Sequence, residues 1–220
     1  FNNGRLLFWH LHIIKTPCNT CNCCVFESEG FNLVHDAWNI FDSVMFDKVK
    51  GHSIPVVVGA VGGSYKTYAL GLGIDIGASK AEVMAKIRKC WANALDHPIK
   101  PVTVSHGPCQ ENAVTGNEVN LHKLPVPVWT PGKDGNWERG LGFLTSPCHI
   151  TKDPETGIYN MGTYRSMVRQ ERNEMGLNFS IAAHIQTHVR KNEARGKYTE
   201  VATVLGPEPA VMMASVTRVP

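Results

Sequence analysis

Apolar positions recur at helical spacing most clearly over residues 79–95, where Met84, Ile87, Trp91 and Leu95 fall on one stripe. Ser79 with Glu82 forms a capping box at its start, so the pattern predicts a helix with one buried face. Before it, the β-branched run 54–59 predicts a buried strand leading into a glycine-rich turn over 59–63. That turn lacks the Lys-Ser/Thr ending of a phosphate loop and the Gly-x-Gly-x-x-Gly spacing of a dinucleotide fold, which favours a plain tight turn. Pro98, Pro101 and Pro108 break any period across 97–116 and predict extended connections. Short extended runs then dominate, at 141–150, 157–168, 177–182, 201–205 and 210–214. One helix interrupts them, predicted over 184–195 and closed by Gly196.

Strands crowd the second half, while the first half mixes helix and strand. The fold class read from this is α+β, a mixed α/β N-terminal domain over 31–118 followed by a β-rich, barrel-like domain over 119–220. The proline-rich passage 121–132, with Leu124-Pro125-Val126-Pro127-Val128, is the stiff crossing between them. Residues 1–30 read as an atypical extension, apolar without period and followed by a cysteine cluster.

With 220 residues and 43% hydrophobic content, the chain can bury a substantial core. A net charge of +3, with Lys and Arg dispersed, argues against nucleic acid as a partner. No apolar run approaches the roughly twenty residues that cross a bilayer, and no ordinary signal peptide opens the chain, so a cytoplasmic protein without a membrane partner is expected. Among seven cysteines, Cys18, Cys21, Cys23 and Cys24 are clustered, but an adjacent pair beside one Cys-x-x-Cys makes a poor zinc site. Free thiols in a reducing compartment are the simpler reading.

Candidate chemistry concentrates in 151–165. Asp153-Pro154-Glu155-Thr156-Gly157 predicts a turn between two extended runs, placing Asn160 and Arg165 on the second strand. About twenty residues on, Ala183-His184 opens the predicted helix. An amide oxygen, an imidazole and a guanidinium brought together there could hold a metal, its anionic ligand and a carboxylate substrate. His184 and His188 also make a His-x-x-x-His pair, yet Ile185 stands where a zinc protease needs glutamate, and His188 reads more simply as a partly exposed helix residue. His106, His122 and His149 belong to no visible triad, and Met161, Met167, Met175, Met212 and Met213 read as core fillers.

The motifs resemble the UbiD-like decarboxylases, which use prenylated FMN and a divalent metal. The resemblance rests on Leu-Pro-Val-Pro-Val with Thr-Pro-Gly-Lys-Asp (124–134), Thr-Lys-Asp-Pro-Glu-Thr-Gly with Asn-Met-Gly-Thr-Tyr-Arg (151–165), Ala-His-Ile with Arg-Gly-Lys (183–197), and Leu-Gly-Pro-Glu-Pro-Ala followed by Met-Ala-Ser (205–215). It implies a split β-barrel flavin-binding domain, incomplete in this chain, over 119–220. It makes Asn160 and His184 metal ligands bridging to the flavin phosphate, with manganese as the metal and potassium as a further candidate cation. Asn160, Met161, Gly162, Thr163, Tyr164, Arg165, Ala183 and His184 would contact the prenylated FMN. Arg165 would also face the substrate carboxylate, where a guanidinium can fork onto the anion. Gly162 would let the backbone approach the flavin closely.

The implied activity is non-oxidative, reversible decarboxylation of an aromatic or α,β-unsaturated carboxylic acid, with the organic chemistry carried by the cofactor. A flavin prenyltransferase would supply that cofactor, and a homo-oligomer is the assembly implied. The resemblance also implies a third ligand, a glutamate beyond Ser215, and later glutamates for proton transfer. None of Glu193, Glu200 or Glu208 sits in those segments, so the chain is expected to be a truncated family member lacking the C-terminal part. The alternative is a non-catalytic flavin- or metal-binding fragment.

Overall fold

The computed structural model describes residues 12–13, 44–46, 49–59, 61–127, 140–144 and 146–217. These fall into two compact units, one formed by 12–13 with 106–207, the other by the described part of 17–105 with 208–217. The segment 106–118 thus lies with the later unit, and 208–217 with the earlier one. The cysteine cluster at 18–24 and the Thr130-Pro131-Gly132 motif, with Trp129 and Trp137, lie outside the described residues.

The 17–105 unit holds β2 (Val44–Phe46) antiparallel to β3 (Val56–Val58), followed by α1 (Tyr65–Gly71) and α2 (Lys80–Asp96). The predicted helix is present, with Ser79 as N-cap and a reciprocal bond from its backbone to Glu82. Its buried residues are Val83 and Ile87, packed with Ala69 of α1, while Leu95 is exposed. Met84 and Trp91 are partly buried against the same cluster, so the predicted stripe faces inward at Met84, Ile87 and Trp91, with Val83 added to it and Leu95 left out. The turn after β3 closes with the Gly63 N–H on the Gly59 carbonyl at 3.2 Å. Val57 is 48% exposed, so β3 is not the buried strand predicted.

Residues 210–214, predicted as extended, are helical in α4 (Pro209–Ser215). Proline at the first helical position arrives with its φ preset, and the Ala and Met that follow are good helix formers. Those local terms outweigh the β-branched Val211.

The other unit carries two sheets. One has strand order β1-β9-β5-β6, from β1 (His12–Ile13), β9 (Val201–Leu205), β5 (Cys148–Lys152) and β6 (Tyr159–Thr163). The part of the chain read as an extension therefore contributes a strand, parallel to β9. The second sheet is antiparallel, β4 (Gly140–Leu144), β7 (Ser166–Arg169) and β8 (Met175–Leu177). Helix α3 (His184–Glu193) packs against β5 and β6.

Two predicted strands are divided in the structure. The run 141–150 becomes β4 and β5, and 157–168 becomes β6 and β7, in different sheets. Of 177–182, only Leu177 is in a strand. The architecture is a mixture of helices and small, mainly antiparallel sheets, in agreement with the α+β class.

Candidate functional site

The turn from Asp153 to Gly157 fixes the start of β6. Asp153 Oδ1 accepts from the N–H groups of Glu155 (2.8 Å) and Thr156 (3.2 Å), and the Asp153 carbonyl accepts from Gly157 N–H at 2.9 Å. Gly157 closes the turn at φ +73, a conformation that a side chain disfavours. Lys191 of α3 reaches Asp153 Oδ2 at 2.7 Å and Glu155 at 2.8 Å. The Lys191 bond, then the Glu155 N–H, hold the Asp153 carboxyl down at about 2. The turn is thus clamped to the helix that follows it by some thirty residues.

From this anchor the β5–β6 register runs regularly, pairing Thr151 with Asn160 and His149 with Gly162. Directly paired residues share a sheet face, so Asn160, Gly162, Thr151 and His149 face one way, and Met161 and Thr163 the other. On the first face, Thr151 Oγ1 lies 2.9 Å from Nδ1 of His188, which puts α3 on that side. His184 is one turn earlier on the same helix face as His188. The fold therefore brings Asn160 and His184 to the same side of the sheet. Asn160 is half-buried and its Nδ2 is buried without a hydrogen-bond partner. His184 is exposed, the first residue of α3, and its ring makes no hydrogen bond to another described residue.

His188 is not the partly exposed residue the sequence suggested. It is 6% exposed, and its Nε2 is 3.8 Å from Asp153 Oδ2. Burial pushes its pKa down, the nearby Asp153 charge opposes this, and Lys191 and His184 push the same way as burial. Its contacts make it a structural tie between α3, β5 and the turn, in place of a second zinc ligand. Among the described residues no cluster of three metal-binding side chains of the His, Cys, Asp or Glu type occurs.

Arg165 differs from its predicted position too. It lies in the two-residue break between β6 and β7 rather than on a strand, and it is exposed. Its Cζ stands 5.3 Å from the centre of the Phe143 ring on β4, and no carboxylate among the described residues pairs with it. A guanidinium held over a ring face without an ion partner keeps its donors available for an incoming anion.

Gly162 is buried, and the group that comes closest to it is Tyr164. A Cβ there would lie 2.6 Å from Tyr164 Oη and 2.7 Å from Cε2. The ring stacks on His149, with centroids 5.9 Å apart, and meets Phe179 edge-on at 6.2 Å. The missing side chain at Gly162 thus makes room for Tyr164. Thr163, on the far face, is 3.7 Å from Cys148 Sγ, and Met161 is half-buried. Ala183 caps α3 with an extended backbone and no side-chain hydrogen bond, and the first turn of the helix carries no acidic residue.

The family described as UbiD, 3-octaprenyl-4-hydroxybenzoate carboxy-lyase Rift-related domain, matches residues 100–220. The chain belongs to the UbiD family. A phenolic acid decarboxylase of Sedimentibacter hydroxybenzoicus is 28% identical over 183 residues, covering 80% of this chain and 36% of that protein. The apo 3,4-dihydroxybenzoic acid decarboxylase of Enterobacter cloacae superposes with a TM-score of 0.67 at 29% identity, over 81% of this chain and 35% of its own. The UbiD-class enzyme HmfF of Pelotomaculum thermopropionicum, in complex with FMN, has a TM-score of 0.65 at 26% identity, over 80% and 37% of the two chains. An evolved dimeric form of HmfF, in complex with prFMN, has the same TM-score. The chain spans little more than a third of the length of these UbiD relatives.

Sequence reasoning missed His149. It is fully buried and bonded on both ring nitrogens, yet its partners lie 15 to 54 residues away in sequence, so no local motif announces it.

Proposed function

We propose that this chain forms part of a decarboxylase that releases carbon dioxide, non-oxidatively and reversibly, from an aromatic or α,β-unsaturated carboxylic acid, using prenylated FMN and a divalent metal. The observation that carries the reading is Asn160. Its amide end is buried without a partner, on the sheet face covered by the helix that starts at His184. A buried amide left unbonded is costly, and a bound ligand removes that cost. Turning the amide end for end presents its oxygen to the same space.

The donor set fits the group. An amide oxygen and an imidazole are neutral and suit manganese, so phosphate oxygens would complete and balance the shell. The N-terminus of α3, free of acidic residues, favours an anion through its unpaired N–H groups. Strand β6 is at the edge of its sheet among the described residues, which leaves backbone donors and acceptors available beside a planar ligand. Asn160 and His184 would hold the metal. Met161, Gly162, Thr163, Tyr164 and Ala183 would flank the flavin, largely through backbone. When bound, prenylated FMN supplies the electron sink. Arg165 would orient the substrate carboxylate, and the cation–π contact with Phe143 fixes where its guanidinium stands.

The two sheets of the 106–207 unit are read as parts of a split β-barrel that binds flavin. A homo-oligomer, a cytoplasmic location and a prenyltransferase as cofactor source belong to the same proposal. Among the described residues no helix is long and apolar enough to cross a membrane. An aromatic acid substrate is favoured because relatives named as phenolic acid and dihydroxybenzoic acid decarboxylases share this fold.

The test is co-expression of the full-length polypeptide with a flavin prenyltransferase, then absorbance, metal analysis and carbon dioxide release from a panel of aromatic acids. Arg165→Ala should lower release at least 100-fold while flavin and fold persist. Unchanged turnover would refute the clamp, and bound flavin with no release from any acid would leave binding without catalysis.

A further inference from the structure

The chain passes from one sheet to the other at Tyr164–Arg165, two residues with no strand pairing of their own. His149 of β5 touches every element at this crossing. Its Nε2 lies 2.9 Å from the Tyr164 carbonyl and 3.0 Å from Ser166 Oγ on β7, and its Nδ1 lies 3.0 Å from Thr203 Oγ1 on β9. A carbonyl can only accept, so Nε2 carries the hydrogen and Nδ1 accepts from the Thr203 hydroxyl. Burial keeps the ring neutral by pushing its pKa down, against the Tyr164 bond that raises it. The ring face also supports Tyr164, which in turn lies over Gly162.

We infer that His149, as the neutral Nε2–H tautomer, is the positioning residue of the β6–β7 crossing: it fixes the Tyr164 carbonyl and ring, and through them the placement of Gly162 and Arg165. It touches none of the reacting groups itself. One buried imidazole bonds both sheets with both nitrogens, so losing its hydrogen bonds unties the crossing, whereas the rest of either sheet keeps its own ladder. The consequence for flavin rests on the function proposed above; the consequence for the backbone does not.

The experiment compares His149→Phe, which keeps a stacking ring without hydrogen bonds, and His149→Gln, whose amide can replace the Nε2–H donor. Hydrogen exchange in the full-length polypeptide should be at least 10-fold faster over 162–166 in H149F, with α3 unchanged, and within about 3-fold of wild type in H149Q. FMN, used as the probe, should bind at least 10-fold more weakly to H149F and near normally to H149Q. Wild-type exchange over 162–166 in H149F, or equal loss in both variants, would overturn the inference. Should H149F not fold, 15N spectra of the wild-type imidazole at pH 7 decide it: a Nδ1–H or charged ring overturns it, and a Nε2–H ring supports it. If wild-type protein binds no FMN while the exchange pattern holds, the flavin reading fails and the positioning role stands.

Discussion

Thr151 Oγ1 and His188 Nδ1 lie 2.9 Å apart, both buried, and join strand β5 to helix α3. This bond sets the helix on the sheet face that carries Asn160, so the position of His184 depends on it. Thr151→Val keeps the shape and removes the hydroxyl, leaving the ring nitrogen unsatisfied in a dry site. The prediction is a loss of about 1–3 kcal/mol in denaturant unfolding. An unchanged midpoint would mean that the helix is held by packing alone.

Acid should weaken the fold through two imidazoles. Burial lowers the native pKa of both His149 and His188 below the ordinary 6.5. Below about pH 6.5 the unfolded chain therefore binds more protons than the native one, and stability falls with pH until the native rings protonate. Stability should rise from pH 5 to pH 7, measured by urea midpoints. The paired variant His149→Gln, His188→Gln should flatten that rise. The Asp153 carboxylate acts lower, its contribution present above 3.8 and lost as pH falls towards about 2.

Gly162→Ala would drive a methyl group to within 2.6–2.8 Å of the Tyr164 ring. That ring is held by His149 and Phe179, so it moves only by giving up both contacts. The variant should lose about 1–3 kcal/mol of stability. Adding Tyr164→Ala should cost less in the Gly162→Ala background than in wild type, a coupling that a double-mutant cycle measures. Additive losses would show that the two residues do not press on each other.

Asn160→Leu separates stability from the proposed function. Removing a buried amide with an unbonded nitrogen should leave stability unchanged or raise it by roughly 1 kcal/mol. Manganese content should drop to background by mass spectrometry, and FMN affinity with it. Retained metal would remove Asn160 from the ligand set.

Features that depend on residues a few positions apart were legible in the chain itself. The Asp153 turn and the Ser79–Glu82 cap form from side chains and N–H groups within one turn of each other, and the helix that opens at His184 is followed by Gly196 at φ +64. Asn160 was legible as a candidate because of that turn and the family motif around it. The strand breaks were not, because an extended run looks the same whether it stays in one sheet or crosses between two. Arg165 changed position for this reason, from a strand to the crossing.

By itself, then, the sequence determined the local turns, the capped helices and the family to which the motifs belong, since backbone preferences and short-range hydrogen bonds act before any distant contact forms. Only the tertiary structure decided that His149 and His188 are buried ties and that Tyr164 fills the space over Gly162. It likewise decided that Asn160 shares a side with His184. Those outcomes turn on partners far apart along the chain, whose hydrogen bonds and desolvation exist only once β5, β6, β9 and α3 have come together.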